Sequence, residues 1–249
     1  MNHKIIAGNW KMYKTLNDGF AFLDAFIPLC DQEMRAKCSL ILAPNFTLLA
    51  SMAERCREAG IFLAAQNCHP EGEGAYTGET SLPMLADIGV SHVLVGHSER
   101  RALFGESDNF LNQKLKAVLI SGLIPIFCVG ETLEQREAGA ARSVVERQLQ
   151  QGLQGASFGE KMMVAYEPVW AIGTGKTATA ADARTMHQFI RQCLVSMGAG
   201  GGDIPLLYGG SVKPANAAEL LAEPDIDGVL VGGASLNPED FARIAESVC

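Results

Sequence analysis

The chain has 249 residues, a formal net charge of −8 and 48% hydrophobic residues. Its length and apolar content suit a single domain over residues 1–249 with a sizeable core. The acidic balance, without a block of like charges, argues against nucleic-acid or membrane partners, so an anionic ligand would need local positive charge or helix N-termini.

Eight short apolar runs of strand length follow one another along the chain, and none alternates as a half-buried strand would. Such runs are typical of parallel strands that are buried on both faces. They begin at Lys4, Ser39, Ile61, His92, Ile124, Met162, Ile204 and Gly228.

Between these runs, apolar residues recur at the spacing of amphipathic helices, most clearly over 49–56, 111–119, 186–197 and 241–248. Thr179 with Asp182 resembles a capping box at the start of the third of these helices. Eight strands that alternate with helices in a chain of this length predict closure into a parallel β/α barrel.

The cysteines predict free thiols in a reducing compartment, because the seven are dispersed and no CxxC pair occurs. We interpret Cys128 as a packing residue, since no base stands next to it in the sequence. The N-terminal apolar run is too short for a signal peptide, and no segment reaches membrane-spanning length. We therefore expect a cytoplasmic protein.

Active sites of β/α barrels lie at the carboxyl ends of the strands, so the residues that follow each run are candidates. "WK" and "GHSE" directly follow apolar runs, which loop polarity alone does not explain. Glycine pairs follow the last two runs, where barrels commonly bind phosphate. The backbone N–H groups of Gly210, Ser211, Gly232 and Gly233 could reach a phosphate, or these glycines could simply turn the chain. The candidates are Asn9, Lys11, Asn45, Gln66, Asn67, His97, Glu99, Glu131, Glu167, Gly209, Gly210, Ser211, Gly232 and Gly233.

Glu167 is the most informative of these carboxylates. It ends an apolar run and precedes Pro168, which places it at the barrel mouth beside low-dielectric walls. Burial there would raise its pKa, as suits a general base. A salt bridge to a neighbouring loop is the alternative. Together with His97, Lys11 and the glycine pairs, the set indicates catalysis.

Two other stretches match known functional motifs only in part. Gly175-Lys176-Thr177 has the form of half a Walker A loop, but Trp170 stands where that loop needs a glycine. His97-Ser98-Glu99 has the H-x-E form of zinc deaminases without their P-C-x-x-C. The histidines lack metal-ligand spacing, so we predict no metal, and we interpret His92 and His187 as structural or surface residues.

Seven stretches carry a family resemblance: "AGNWKM", "AQN", "GHSERR", "CVGE", "AYEPVWAIGTGKTAT", "YGGSV" and "GVLVGGASL". In order and spacing, over nearly the whole chain, they resemble the triosephosphate isomerase family. The resemblance implies a single eight-stranded parallel (β/α)8 TIM barrel that forms a homodimer. It also implies cofactor-independent interconversion of dihydroxyacetone phosphate and D-glyceraldehyde 3-phosphate through an enediolate, in glycolysis and gluconeogenesis.

The resemblance implies a role for each site residue. Glu167 would be the base that moves a proton between adjacent carbons, and His97 the neutral acid that polarises the carbonyl. Lys11 would attract the phosphate and stabilise the enediolate, with Asn9 beside it and Glu99 as a hydrogen-bonding partner. The implied phosphate ligands are Gly173, Ser211, Gly232 and Gly233, besides Asn9 and Lys11.

The resemblance also identifies a lid and an interface loop. The lid would have Trp170 in its N-terminal hinge and residues 176–178 as its C-terminal hinge. The segment 66–81 would be the intersubunit loop, with Thr77 reaching the partner's site. The lid residues are Pro168, Val169, Trp170, Ala171, Ile172, Gly173, Thr174, Gly175, Lys176, Thr177 and Ala178.

Two other classes of protein remain open. Another phosphosugar barrel, such as an epimerase, would share the phosphate loops but is not expected to carry both "GHSE" and "YEPVWAIGTGKT". A non-catalytic phosphate-binding barrel would tolerate loss of Glu167 or His97, and both are present.

Overall fold

The eight predicted strands form a closed parallel barrel in a computed structural model of the chain, which describes residues 3–157, 161–172, 178–199 and 204–248. Strands pair in chain order, and the last pairs with the first. The predicted fold is therefore confirmed. Four of the eight strands start at the predicted residue, and the other four are shifted by one or two residues, as is usual for element ends. The strands are β1 Lys4–Asn9, β2 Cys38–Ala43, β3 Phe62–Ala65, β4 His92–Val95, β5 Ile124–Val129, β6 Met163–Tyr166, β7 Leu206–Tyr208 and β8 Gly228–Val231.

Helices follow the strands around the outside of the barrel. They are α1 Leu16–Phe26, α2 Gln32–Lys37, α3 Phe46–Glu58, α4 Leu82–Asp87, α5 Ser98–Leu103, α6 Asp108–Ser121, α7 Leu133–Glu137, α8 Ala141–Leu153, α9 Ala180–Ser196, α10 Pro214–Ala222 and α11 Pro238–Glu246. The four helices predicted from apolar spacing are α3, α6, α9 and α11, and the Thr179–Asp182 capping box is present at α9. None of the helices in the described part of the chain is long and apolar enough to cross a membrane.

Two apolar cores explain why the strands read as continuous apolar runs. Successive side chains of a strand point to opposite faces. One set fills the barrel interior, for example Ile41, Ile126 and Leu207. The other set packs between the strands and the helices, for example Leu42 and Phe127. Because both faces are buried, polar residues are confined to the strand ends, where the loops begin.

Candidate active site

A cavity of about 570 Å³ lies at the carboxyl ends of the strands. Parallel strands of a barrel all end at the same rim, so residues far apart in sequence meet there. The predicted site residues in its wall are Asn9, Lys11, His97, Glu167, Gly209, Gly210, Ser211, Gly232 and Gly233.

Glu167 and His97 form the centre of this wall. Glu167 Oε1 lies 2.9 Å from His97 Nε2, and both side chains are buried. Its other oxygen, Oε2, accepts a hydrogen bond from the backbone N–H of Ser98 at 2.9 Å. Sequence reasoning did not assign a role to Ser98. Its place at the start of α5 is a usable signal, because the first N–H groups of a helix lack intrahelical partners.

The hydrogen bonds of His97 define its neutral tautomer. His97 is the N-cap of α5, and its Nδ1 accepts the backbone N–H of Glu99 at 3.2 Å. A backbone N–H can only donate, so Nδ1 carries no proton in the neutral ring. The ring proton therefore sits on Nε2, the atom that faces Glu167 and the cavity.

The pKa values of this pair are shifted in opposite directions. Burial raises the pKa of Glu167, but His97 and the Ser98 N–H outweigh it, and the pKa lies below the usual value. Burial lowers the pKa of His97, but the Glu167 carboxylate outweighs it, and the pKa lies above the usual value. Our expectation of a raised pKa for Glu167 is therefore wrong in this arrangement, because the carboxylate is hydrogen-bonded as well as buried.

Lys11 is held in an uncommon backbone conformation, with φ at 52°. A left-handed conformation costs a lysine on the order of 1 kcal/mol, so its neighbours must impose it. The Lys11 N–H donates to Asn9 Oδ1 at 3.0 Å, and its carbonyl accepts Gln66 Nε2 at 2.8 Å. These contacts direct the ammonium group toward the site.

Glu99 contacts the site through two other residues. Its Oε1 lies 2.7 Å from Lys11 Nζ, and its Oε2 lies 3.7 Å from His97 Nδ1. Its side chain remains 43% exposed. Glu99 therefore orients the ammonium group of Lys11 rather than closing the cavity.

The glycines after β5 and β7 are required by close packing. A Cβ at Gly130 would lie 1.7 Å from the carbonyl oxygen of Glu167, and one at Gly209 would lie 3.0 Å from Glu167 Cγ. A Cβ at Gly210 would overlap the oxygen atom of the Tyr208 hydroxyl. Only glycine allows these approaches. Gly130 and Gly209 therefore create the space in which Glu167 lies, a role that sequence reasoning missed.

The glycine pair after β8 lines the cavity as Gly209 and Gly210 do, but it meets fewer neighbouring atoms. A Cβ at Gly232 would lie 3.6 Å from Lys11 Cε, and one at Gly233 would meet no described atom within 4 Å. A short 3-10 turn, Gly233–Leu236, begins there. This pair therefore leaves backbone N–H groups open to a ligand near the Lys11 ammonium.

The predicted lid is described only at its two ends. Pro168 is buried, Val169–Ala171 forms a 3-10 turn, and Ile172 lines the cavity. Ala178 is buried at the other end. Residues 173–177, including the predicted phosphate ligand Gly173, lie outside the described residues.

Thr77, the predicted interface residue, is exposed on the long loop that follows β3. Two rim candidates have supporting roles outside the cavity. The side-chain amide of Asn45 donates to the carbonyl oxygens of Tyr13 and Lys14, and Asn67 Oδ1 accepts Lys114 Nζ at 2.7 Å. These two residues hold loops in place.

Three residues that we interpreted as non-catalytic are buried. Burial raises the pKa of the Cys128 thiol, and the nearby Glu167 acts in the same direction. A base is thus adjacent to Cys128 in space although none is adjacent in sequence, yet the thiol stays protonated. Burial lowers the pKa of His92 and of His187 to about 4, which fits structural residues.

A closed parallel barrel whose strand ends bring a carboxylate and an imidazole into one cavity defines a β/α-barrel enzyme. The family model of triosephosphate isomerase matches residues 4–248. Similar proteins include the triosephosphate isomerases of Carboxydothermus hydrogenoformans, 52% identical with 99% of each chain covered, and Synechococcus sp. strain CC9902, 51% identical with 98% of each covered. That of Moorella thermoacetica is 50% identical, with 98% of each chain covered. The chain therefore belongs to the triosephosphate isomerase family, and it is an enzyme of the isomerase class.

Proposed function

We propose that the protein interconverts dihydroxyacetone phosphate and D-glyceraldehyde 3-phosphate through an enediolate, with Glu167 as the base and His97 as a neutral acid. The observation that carries this proposal is the 2.9 Å contact between Glu167 and His97 in the wall of the cavity that Lys11 also lines. A proton transfer between adjacent carbons needs a base and a donor to the carbonyl oxygen. These two side chains supply both groups.

In this mechanism Glu167 takes the proton from the carbon next to the carbonyl. The Nε2–H of His97 donates to the carbonyl oxygen while negative charge develops there. The proton then returns from Glu167 to the neighbouring carbon, and the hydroxyl proton moves to the other oxygen. The chemistry begins and ends with the same protonation states, so it needs no cofactor.

During the reaction, the neutral state of His97 is favoured by the loss of charge on its partner, Glu167. The Glu167 carboxylate is the main cause that raises the pKa of His97, against burial. Once that carboxylate holds the substrate proton, its charge is gone, and burial again favours the neutral ring. The Glu99 N–H directed at Nδ1 acts in the same direction.

Lys11, Ser211, Gly232 and Gly233 would bind the substrate phosphate. Because the chain carries a net charge of −8, attraction of a phosphate must come from local groups. The Lys11 ammonium and the backbone N–H groups beside it are such groups. Gly173 would join them from the lid, which we propose closes over the substrate and excludes water.

We further propose that two copies associate through the loops around Lys11 and Thr77. Met12 is 93% exposed and Tyr13 is 57% exposed, directly after Lys11, and Tyr76 is 44% exposed beside Thr77. A second copy that covers these side chains would also shield the lysine.

Replacement of Thr77 by Arg should weaken association and activity together, measured by sedimentation equilibrium and by rate over a protein dilution series. A fully active monomer would contradict the proposal. We place the dimer in the cytoplasm, within glycolysis and gluconeogenesis.

A coupled assay for glyceraldehyde 3-phosphate formation tests the activity. The protein should be produced in a host strain that lacks its own isomerase, so that contamination does not mask a loss. The expected result is turnover by the intact protein and loss of most of it in Glu167→Gln. An epimerase or a non-catalytic barrel would give no isomerisation with either protein.

A further inference from the structure

A second buried carboxylate, Glu131, lies beside the site at the end of β5. It is fully buried, and its Oε1 accepts the indole N–H of Trp170 at 2.9 Å. Both of its oxygens lie 3.1 Å from the hydroxyl of Tyr166, which donates to them. Its carbonyl accepts the N–H of Val169 at 3.1 Å. Since Tyr166 and Trp170 stand on either side of Glu167, Glu131 fixes the chain before and after the proposed base.

Arg136, on α7, connects the Glu131 carboxylate to Asp182 at the start of α9. Its Nη1 lies 3.3 Å from Glu131 Oε1, and its guanidinium lies 4.4 Å from the centre of the Trp170 ring. Its Nη2 lies 3.0 Å from Asp182 Oδ1, in the first turn of α9. The planar guanidinium can contact all three groups at once, which a lysine could not do.

Asp182 carries this link to the start of α9. Its other oxygen, Oδ2, accepts the Thr179 hydroxyl at 2.7 Å and the Thr179 N–H at 3.2 Å, which closes the capping box. One guanidinium therefore joins the 3-10 turn after Glu167 to the helix cap at Thr179.

We propose that Arg136 is a positioning residue for the isomerisation, which holds the two ends of the segment between Glu167 and Thr179 at a fixed separation. The inference rests on the proposed role of Glu167 as the base. The buried Glu131 needs a nearby positive charge for its own stability, and Arg136 provides it. The bond to Asp182 is not required for that purpose, nor for the cap. The remaining effect of the contact between Arg136 and Asp182 is to fix the distance between the two ends of the segment.

Loss of the contact between Arg136 and Asp182 should displace Glu167, the proposed base. A displacement on the order of 1 Å can reduce the rate about 100-fold, so a modest change at both ends of the segment should be measurable in kcat. Asp182→Asn isolates the link, because the amide oxygen can still accept from Thr179 while its NH₂ group cannot accept from Arg136.

The matched control is Glu223→Gln. It removes the ion pair between Glu223 and Arg184 of α9, at 3.5 Å, which contacts neither end of the segment. We expect Asp182→Asn to lower kcat about tenfold and the control to change it less than about twofold. In an Arg136→Lys background, Asp182→Asn should lower kcat no further, because the lysine cannot span both carboxylates. A purely structural role would lower the melting temperature without this non-additivity.

Equal kcat values for Asp182→Asn and the control, or additive losses in the double variant, would overturn the proposal.

Failure of the proposed function can be distinguished from failure of this proposal, because it would appear as no turnover by the intact protein. In that case the link is read from Trp170 fluorescence, since the ring packs against Arg136. The other tryptophan, Trp10, is fully buried and common to all variants. A shifted emission in Asp182→Asn but not in the control supports the link, and unchanged emission in both contradicts it.

Discussion

Glu131 and Glu167 follow neighbouring strands and are buried almost equally, at 0% and 2% exposure. Their partners differ. Glu131 accepts hydrogen bonds from a phenol, an indole and a guanidinium. Glu167 contacts an imidazole and one backbone N–H, and it lines the cavity.

Burial alone therefore does not separate a structural carboxylate such as Glu131 from Glu167, the carboxylate that we propose as the base. The Glu131 carboxylate accepts hydrogen bonds from the Tyr166 hydroxyl, the Trp170 indole and the Arg136 guanidinium. A guanidinium keeps its charge at any physiological pH. The main partner of Glu167 is an imidazole, whose charge changes near neutral pH. A carboxylate with such a partner and an open side can exchange one hydrogen bond for a bond to substrate at little cost.

The largest expected effect is the loss of turnover in Glu167→Gln. An amide cannot take a proton from carbon, and general base catalysis contributes up to about 10⁴-fold, so we expect kcat to fall by roughly 10³-fold or more. At pH values above the folded pKa of His97, the melting temperature should change little, because the amide keeps the volume and can accept the Ser98 N–H. Steady-state kinetics and thermal unfolding measure the two quantities. Turnover near that of the intact protein would remove Glu167 from the mechanism and end the contrast with Glu131.

A smaller loss is expected when the base is shortened. Glu167→Asp keeps the carboxylate but withdraws it by one methylene, and a misplacement on the order of 1 Å costs about 100-fold in rate. KM should change less than kcat, because the phosphate ligands are untouched. The matched variant is Glu131→Asp, which should reduce kcat less. The reverse order of the two losses would show that the roles of the glutamates are exchanged.

Residue pattern alone predicts the fold and much of the rim of this chain. Eight apolar runs determine the barrel, and the parallel arrangement then brings Lys11, His97 and Glu167 to one edge. The distinction between Glu131 and Glu167 could not be predicted in this way, since both are glutamates that follow buried strands. It depends on which donors the fold brings to each carboxylate. The pKa direction of Glu167 depends on the same contacts, because burial and hydrogen bonding oppose each other there.

Glu131→Gln should mainly affect stability. Removing the charge leaves Arg136 without its buried partner, and loss of one member of such a pair costs several kcal/mol when both are buried. The Arg136 side chain is 33% exposed, so solvent offsets part of this loss and we expect about 2 kcal/mol. Urea unfolding measures the change. Glu167→Gln is the control, and an equal loss of stability in both variants would contradict the contrast between the two carboxylates.

The smallest expected effect is a shift in the titration of His97. The Glu167 carboxylate raises the pKa of His97 against burial, and His97 lowers the pKa of Glu167. In Glu167→Gln the raising cause is largely removed, so burial should dominate and the pKa of His97 should fall below its usual value. NMR titration of the ring protons measures this shift. His92 and His187, whose pKa values burial lowers to about 4, provide internal references.

The raised pKa of His97 and the lowered pKa of Glu167 make the stability of the fold depend on pH. The raised pKa of His97 stabilises the fold below its unfolded value of about 6.5, and this contribution is lost as pH rises through the folded pKa. The lowered pKa of Glu167 stabilises the fold above its unfolded value of about 4.3, and this contribution is lost on further acidification. Both contributions are therefore present together between these values. The stability deficit of Glu167→Gln relative to the intact protein should be largest in that window and should shrink as pH rises beyond the folded pKa of His97. An unchanged His97 titration in Glu167→Gln would mean that the carboxylate does not control the charge of the imidazole.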